Sequence, residues 1–208
     1  MTRALAIEIA RTTAEHVGIV AAAVAAAIVI GIPLAIACLR LRRTGNAVLR
    51  VIDVVQTIPA LALFGVLIPV PFIGGIGART AIVALVLYSL LPIVRNTVTG
   101  IRAIDPLVRE AGVALGMTRS QLLRQVELPL AVPTIVAGIR IATVIAIGVA
   151  TIAAAVGGGG LGTFIFRGVA MVDSRLILAG AVPAALLAIA ADVLLTLIER
   201  MLARRYEG

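Results

Sequence analysis

The chain has 208 residues, 62% of them hydrophobic and 13% charged, where an ordinary soluble domain carries about 45–50% and about 25%. A mean hydropathy of +1.18, with apolar runs longer than the roughly 18 residues that mark a span candidate, excludes such a domain and makes this a polytopic membrane protein. All 18 basic residues are arginine, against 10 acidic ones for a formal +8; all but Arg95 and Arg140, which lie within apolar runs, fall in separate short polar segments, with no Trp and 3% aromatics, which excludes a nucleic-acid-binding face.

The first apolar run, Val17 to Leu39, follows a polar stretch with Arg3, Glu8, Arg11 and Glu15. It is too long for a signal-peptide core of about 7–15 residues and reads as a retained span. Cys38 lies inside it with no second cysteine to pair with. A second run, 51–73, is interrupted by Asp53, Gln56 and Pro59, and a third covers 80–98. Between them Pro69, Pro71 and Ile73-Gly74-Gly75-Ile76-Gly77 predict a tight turn. A fourth run, 130–156, ends in Gly157-Gly158-Gly159-Gly160, and a polar connection with Arg167, Asp173 and Arg175 leads to the fifth, 176–198. The whole of 1–208 reads as one transmembrane domain of five helices, with its termini on opposite sides.

Charge decides which side is which. Arg40, Arg42, Arg43 and Arg50 follow the first span, Arg102, Arg109, Arg119 and Arg124 the third, and Arg200, Arg204 and Arg205 the fifth. The opposite face holds Arg3, Arg11, Arg79, Arg167 and Arg175. The positive-inside rule puts the first group in the cytoplasm, so the N-terminus is expected outside and the C-terminus inside. The longest cytoplasmic segment is then about 100–127.

That segment is an elbow. Asp105 before Pro106 is a helix start, because the carboxylate can cap and proline's missing N–H is harmless at the first position. The helix runs to about Leu115, Gly116 ends it, and Thr118 to Ser120 offer a second N-cap before Gln121-Leu122-Leu123. Glu110-Ala111-Gly112, three residues, Gly116, nine residues, then Val126-Glu127-Leu128-Pro129 resembles the EAA loop of ATP-binding-cassette (ABC) importer permeases. Gly112 stands where that family usually has a second alanine, and Val126 where it usually has isoleucine. Gln56-Thr57-Ile58-Pro59-Ala60-Leu61-Ala62-Leu63, Leu91-Pro92-Ile93-Val94-Arg95-Asn96-Thr97 and Ile165-Phe166-Arg167-Gly168 are similar to the osmoprotectant branch, the permeases for glycine betaine, carnitine or choline; permeases for methionine and other amines share the scaffold.

The resemblance, over about residues 17–200, implies an all-α type I importer fold. In it Glu110, Ala111, Gly112, Leu115, Gly116 and Pro129 belong to a coupling helix that docks on an ATPase. It also implies two ATPase subunits holding ATP and Mg, a second permease subunit, identical or paralogous, and an extracytoplasmic binding protein, in a prokaryotic cytoplasmic membrane. Some relatives fuse that binding domain after the last span; this sequence ends at Gly208, so a separate binding chain is expected.

The residues alone agree with a transport rather than an enzymatic role. Without lysine there is no phosphate-binding Gly-x-x-x-x-Gly-Lys loop, so no nucleotide cofactor is expected in this chain. His16 is the only histidine, and no carboxylate pair falls at metal-ligand spacing, so no metal or hydrolytic site is predicted. Gln56, Thr57 and Pro59 are candidates to line the pathway, since a broken helix is tolerated where its backbone lines a cavity; Tyr88 and Asn96 are further candidates. Arg140 and Asp192 lie deep in the fourth and fifth spans and are expected to pair, because a charge near the bilayer centre costs at least about 2.5–3.5 kcal/mol. Asp53 and Arg95 lie near cytoplasmic ends, where pairing or snorkelling suffices. Few aromatics are available for a quaternary-ammonium cage, so substrate selection falls to the binding protein. An independent ion channel would leave the elbow without a purpose.

Overall fold

A computed structural model describes residues 3–206, without the side chains of residues 42–44, 205 and 206; Arg42, Arg43 and Arg205, counted above for sidedness, and Tyr206 have side chains outside the described residues. Among the described residues every regular element is helical: α1 (Arg3–Arg40), α2 (Arg42–Thr57), α3 (Ala60–Leu67), α4 (Ala78–Arg102), α5 (Pro106–Ala114), α6 (Arg119–Leu122), α7 (Leu128–Ala153), α8 (Gly162–Met171) and α9 (Ser174–Tyr206). A π-helical turn, Leu123–Glu127, joins α6 to α7, and a 3₁₀ turn, Ala154–Val156, closes α7.

Four helical segments are long and apolar enough to cross a membrane, five if α2 and α3 together count as one span. The first is longer than its apolar run. The polar stretch before Val17 is helical too, so α1 has 38 residues and a length of about 57 Å at about 1.5 Å per residue.

The second run is not a straight span. It breaks between α2 and α3 by 103°, because proline excludes the α region for the residue before it: Ile58 is extended at φ −72°, ψ 124°, and Pro59 opens α3. With 8 residues, α3 reaches about 12 Å against a hydrocarbon core of about 30 Å. The connection read as polar between the fourth and fifth runs is also helical, as α8.

Small residues let the long helices approach. α4 packs on α1, α2, α3 and α7, while α9 lies outside against α7 and α8. Ala23 and Ala27 of α1, Ala81 and Ala84 of α4, and Ala142 and Ala146 of α7 are fully buried, the packing that lipid-embedded helices favour. At Gly138 the backbones of α4 and α7 are so close that a Cβ would lie 2.7 Å from the Pro92 carbonyl oxygen.

The outer face of α9 is the reverse. Leu178, Leu186, Ile189, Leu194 and Met201 are each more than half exposed, a stripe that is a liability in water and an ordinary surface in lipid. The loops gather at two ends. His16, Gly77 and Val156 to Leu161 meet at one, and Arg40, Asn46, Arg102, Arg109, Arg119 and Glu127 surround a cavity at the other.

Candidate functional site

The elbow forms by local rules. The Asp105 carboxylate accepts the Leu107 N–H at 2.8 Å, with Pro106 in the first helical position. α5 ends where Gly116 adopts φ +76°, a left-handed conformation that only glycine takes without penalty. Thr118 then caps α6 in a reciprocal box: its backbone N–H donates to Gln121 Oε1 at 2.8 Å, and its hydroxyl accepts the Gln121 N–H at 3.3 Å.

Gly112 is buried against the second arm, where a Cβ would lie 2.6 Å from Leu122 Cδ1. Glu110 and Ala111 are exposed, and so are Leu107 (69%), Val113 (62%) and Leu115 (80%). One side of the elbow thus packs on the protein, and the other presents apolar side chains around a carboxylate, the composition of a docking surface.

Arg109, and Glu127 of the Val126-Glu127-Leu128-Pro129 motif, to neither of which the sequence assigned a role, hold the elbow to the helices. Arg109 Nε donates to Glu127 Oε1 at 2.8 Å, and its Nη2 donates to the Ile101 carbonyl at the end of α4. Glu127 closes the π-turn, in which the Leu128 N–H reaches back five residues to the Leu123 carbonyl; Pro129, with no N–H to give, follows directly. One guanidinium therefore ties α5 to both α4 and the base of α7. Both residues carry charge within the elbow sequence, but their pairing across 18 positions depends on the fold.

The broken second span is held by a reciprocal pair of bonds. Pro92 of α4 has no N–H, so the Tyr88 carbonyl one turn earlier lacks its helical partner. Gln56 Nε2 donates to that carbonyl at 2.8 Å, and the Tyr88 hydroxyl donates to the Ile58 carbonyl at the break. Gln56, Pro59 and Tyr88 are thereby brought together. Thr57 Oγ1 bonds back to the Val54 carbonyl at 2.7 Å and Asn96 Nδ2 to the Pro92 carbonyl at 2.8 Å. Just below the break, Arg95 grips Asp53 with both prongs, at 2.9 and 2.6 Å.

The bond between Gln56 and Tyr88 has a direct test. Gln56→Leu is expected to destabilise the chain by about 1–3 kcal/mol by orphaning a buried carbonyl. Pro92→Ala, which restores the missing N–H, should recover part of that loss, as a double-mutant cycle on thermal unfolding in detergent would show. An additive cycle would mean that the carbonyl is not the reason for Gln56.

Deeper in the apolar helices, Arg140 Nη1 of α7 donates to Asp192 Oδ1 of α9 at 2.8 Å, and its Nε to Glu199 Oε2 at 3.2 Å. The cluster holds one cation and two carboxylates. Glu199 was not anticipated; it sits seven residues, about two turns, from Asp192 on the same face.

The comparisons with known proteins fall on this geometry. Residues 10–208 match the family described as the binding-protein-dependent transport system inner membrane component. The chain belongs to that family. The permease is 51% identical over 177 residues to the carnitine transport permease protein OpuCD of Listeria monocytogenes, covering 85% of this chain and 78% of that one. It is 48% identical to the osmoprotectant import permease protein OsmW of Salmonella typhimurium, covering 90% and 88%. It is also 44% identical to the glycine betaine/carnitine/choline transport system permease protein OpuCB of Bacillus subtilis, covering 93% and 88%. Among solved structures, inward-facing conformations of the MetNI methionine ABC transporter match with a TM-score of 0.86 at 24% identity, covering 97% of this chain and 99% of that one. The permease thus has the fold of ABC importer transmembrane subunits and acts as the membrane component of a binding-protein-dependent importer.

At the end away from the elbow, the permease uses its one histidine as a structural bolt. His16 Nε2 donates to the Ile147 carbonyl at 3.1 Å, and Nδ1 accepts the Leu161 N–H at 3.3 Å. Together the two bonds require the neutral ring protonated on Nε2. The glycine run explains the fit: Gly160 has φ +73°, and a Cβ there would lie 2.8 Å from His16 Nδ1. Phe64, Tyr88 and Phe164 are buried in the helix packing, while Phe72 and Phe166 are exposed.

Proposed function

We propose that this permease conducts quaternary-ammonium osmoprotectants, of the glycine betaine, carnitine and choline class, across the cytoplasmic membrane of a prokaryote. The observation that carries the substrate class is the 51% identity to a carnitine permease over 85% of the chain. The burial of Phe64, Tyr88 and Phe164 supports a division of labour in which an external binding protein recognises the cation and the permease offers a low-affinity passage. Methionine or a similar amino acid is the second reading; the likeness to a methionine transporter at 24% identity supports a shared fold alone.

In this reading residues 1–208 form a single transmembrane domain, with the N-terminus outside and the elbow and C-terminus inside. A second permease subunit, identical or paralogous, completes the pathway around a shared axis. Two ATPase subunits carry ATP and Mg. The exposed apolar face of α5, with Glu110, Ala111, Gly112, Leu115 and Gly116, is the coupling helix that docks on one of them. Closure of the ATPases on ATP pulls that helix. Because α6, the π-turn and α7 are one continuous rod leading to Pro129 and beyond, and because Arg109 binds α5 to α4 and Glu127, the pull rocks α4 and α7 together from inward-open to outward-open.

The break between α2 and α3, where Thr57 and Pro59 are exposed and Gln56 is bonded to the Tyr88 carbonyl, lines the passage, with Asn96 further along α4. ATP hydrolysis by the purified complex in proteoliposomes, with its binding protein and with glycine betaine, choline, carnitine or methionine, tests the assignment. Stimulation by a quaternary amine is the expected result. Stimulation by methionine alone would remove the substrate class, and failure of any ATPase to co-purify would remove the coupling helix.

A further inference from the structure

A large polar cavity lies behind the elbow. It has a volume of about 890 Å³ and is bounded by Arg40, Asn46, Arg102, Arg109, Arg119 and Glu127. Its charge does not balance. Among the described residues that bound it are four arginines, of which only Arg109 is paired, to the one carboxylate among them, Glu127, at 2.8 Å. Among the described residues Arg40, Arg102 and Arg119 have no carboxylate within salt-bridge distance.

Position in the helices accounts for two of the three. Arg40 closes α1 and Arg102 closes α4, and a cation at a helix C-terminus is stabilised by the carbonyl dipoles there. Arg119 is the first residue of α6, which runs on through the π-turn into α7, and a cation at a helix start is disfavoured by the same dipole. Three unpaired guanidinium groups from three different helices therefore converge on one cavity, and local helix electrostatics explains only part of it.

The wall beneath them is apolar. Ile36 stands one turn before Arg40 on α1, Ile101 stands next to Arg102 on α4, and Leu39 of α1 packs on the cluster that contains Ile101. A free anion gains nothing from such a wall. A phospholipid does, because its phosphate meets guanidinium groups at the helix ends while its glycerol and first methylenes lie along the span, and basic pockets between transmembrane helices on the cytoplasmic side hold anionic headgroups in this way.

We propose that this cavity is a binding site for the phosphate headgroup of an anionic membrane lipid, held by Arg40, Arg102 and Arg119. The inference rests on the reading of the elbow as cytoplasmic and coupling. The bound phosphate bridges the ends of α1 and α4 to the first residue of α6, the same junction that Arg109 braces within the cavity, so occupancy stiffens the link between the docking helix and the spans.

The test uses the whole complex, purified with its ATPase and reconstituted in phosphatidylcholine bilayers with graded phosphatidylglycerol, and reads the phosphatidylglycerol retained per permease by native mass spectrometry. The triple variant Arg40→Gln, Arg102→Gln, Arg119→Gln is expected to need about 100-fold more of the lipid for half occupancy, each arginine near an anionic surface being worth roughly fivefold. Arg124→Gln, on the same end but outside the cavity, is expected to bind like the wild type. Each of the three single substitutions should give a partial loss, which keeps the result readable if the triple variant assembles poorly. Retention indifferent to the arginines in an intact complex would overturn the site. Displacement of the lipid by millimolar inorganic phosphate would make the occupant a soluble phosphate and overturn the lipid assignment. If the wild-type complex fails to hold an ATPase at all, it is the coupling reading that has failed.

Discussion

Gly116→Trp and Glu110→Arg, made separately, are each expected to reduce transport to background and to weaken ATPase association by about 100-fold or more, the scale of removing a central interface contact, while membrane insertion stays intact. The two act by different routes. Gly116 holds φ +76°, and most L side chains there, tryptophan included, add about 1–2 kcal/mol of backbone strain; tryptophan adds bulk at the tip of the docking face as well. Gly116→Asn separates these effects, because asparagine tolerates the left-handed region, and it should keep most of the activity. Glu110 is exposed and outside every ion pair of the described residues, so its reversal leaves the fold alone and changes only what a partner meets. Co-purification of the ATPase and substrate-stimulated ATP turnover are the measurements, and normal turnover in either variant would count against the docking assignment.

How much of this could be read from the sequence divides along the range of the interaction. The elbow was legible in detail because its signals are local: Asp105 before Pro106, a glycine at the stop, and Thr118 three residues ahead of Gln121 each act within one turn. The long apolar helices were legible because hydropathy over some twenty residues is a local sum. The reach of α1 back to Arg3 was not, since Arg3, Glu8 and Arg11 look like a polar leader; Arg167 Nη1 of α8 lies 3.2 Å from Glu8 Oε1, a partner 159 positions away. Pro59 was visible as an interruption, but a proline marks where a helix breaks and not the angle at which the next begins. The polarity of Gln56 and Tyr88 was visible as well. Their mutual bonds were not, because the reason for Gln56 is an N–H missing from Pro92, on another helix.

Arg140→Leu is expected to destabilise the permease by about 3 kcal/mol, the lower end of the cost of breaking a buried ion pair, because Arg140, Asp192 and Glu199 are only partly buried and the Asp192 side chain is 46% exposed. The cost comes from charge left behind. Arg140 stands between Asp192 and Glu199, so its loss abandons two carboxylates two turns apart within apolar α9, and α9 packs mainly on α7 and α8. Asp192→Asn alone should be milder, because it leaves Arg140 paired with Glu199. The triple variant Arg140→Leu, Asp192→Asn, Glu199→Gln removes all three charges together and should recover most of the stability in thermal unfolding of the detergent-solubilised complex, since a neutral replacement of a buried cluster is often tolerated. Transport by that variant then decides between two roles. If it carries substrate at the wild-type rate, the cluster serves to hold α9 to α7. If it is stable and inactive, the excess carboxylate is itself part of the passage, where a negative charge beside the substrate's quaternary ammonium group lowers the barrier that the bilayer imposes.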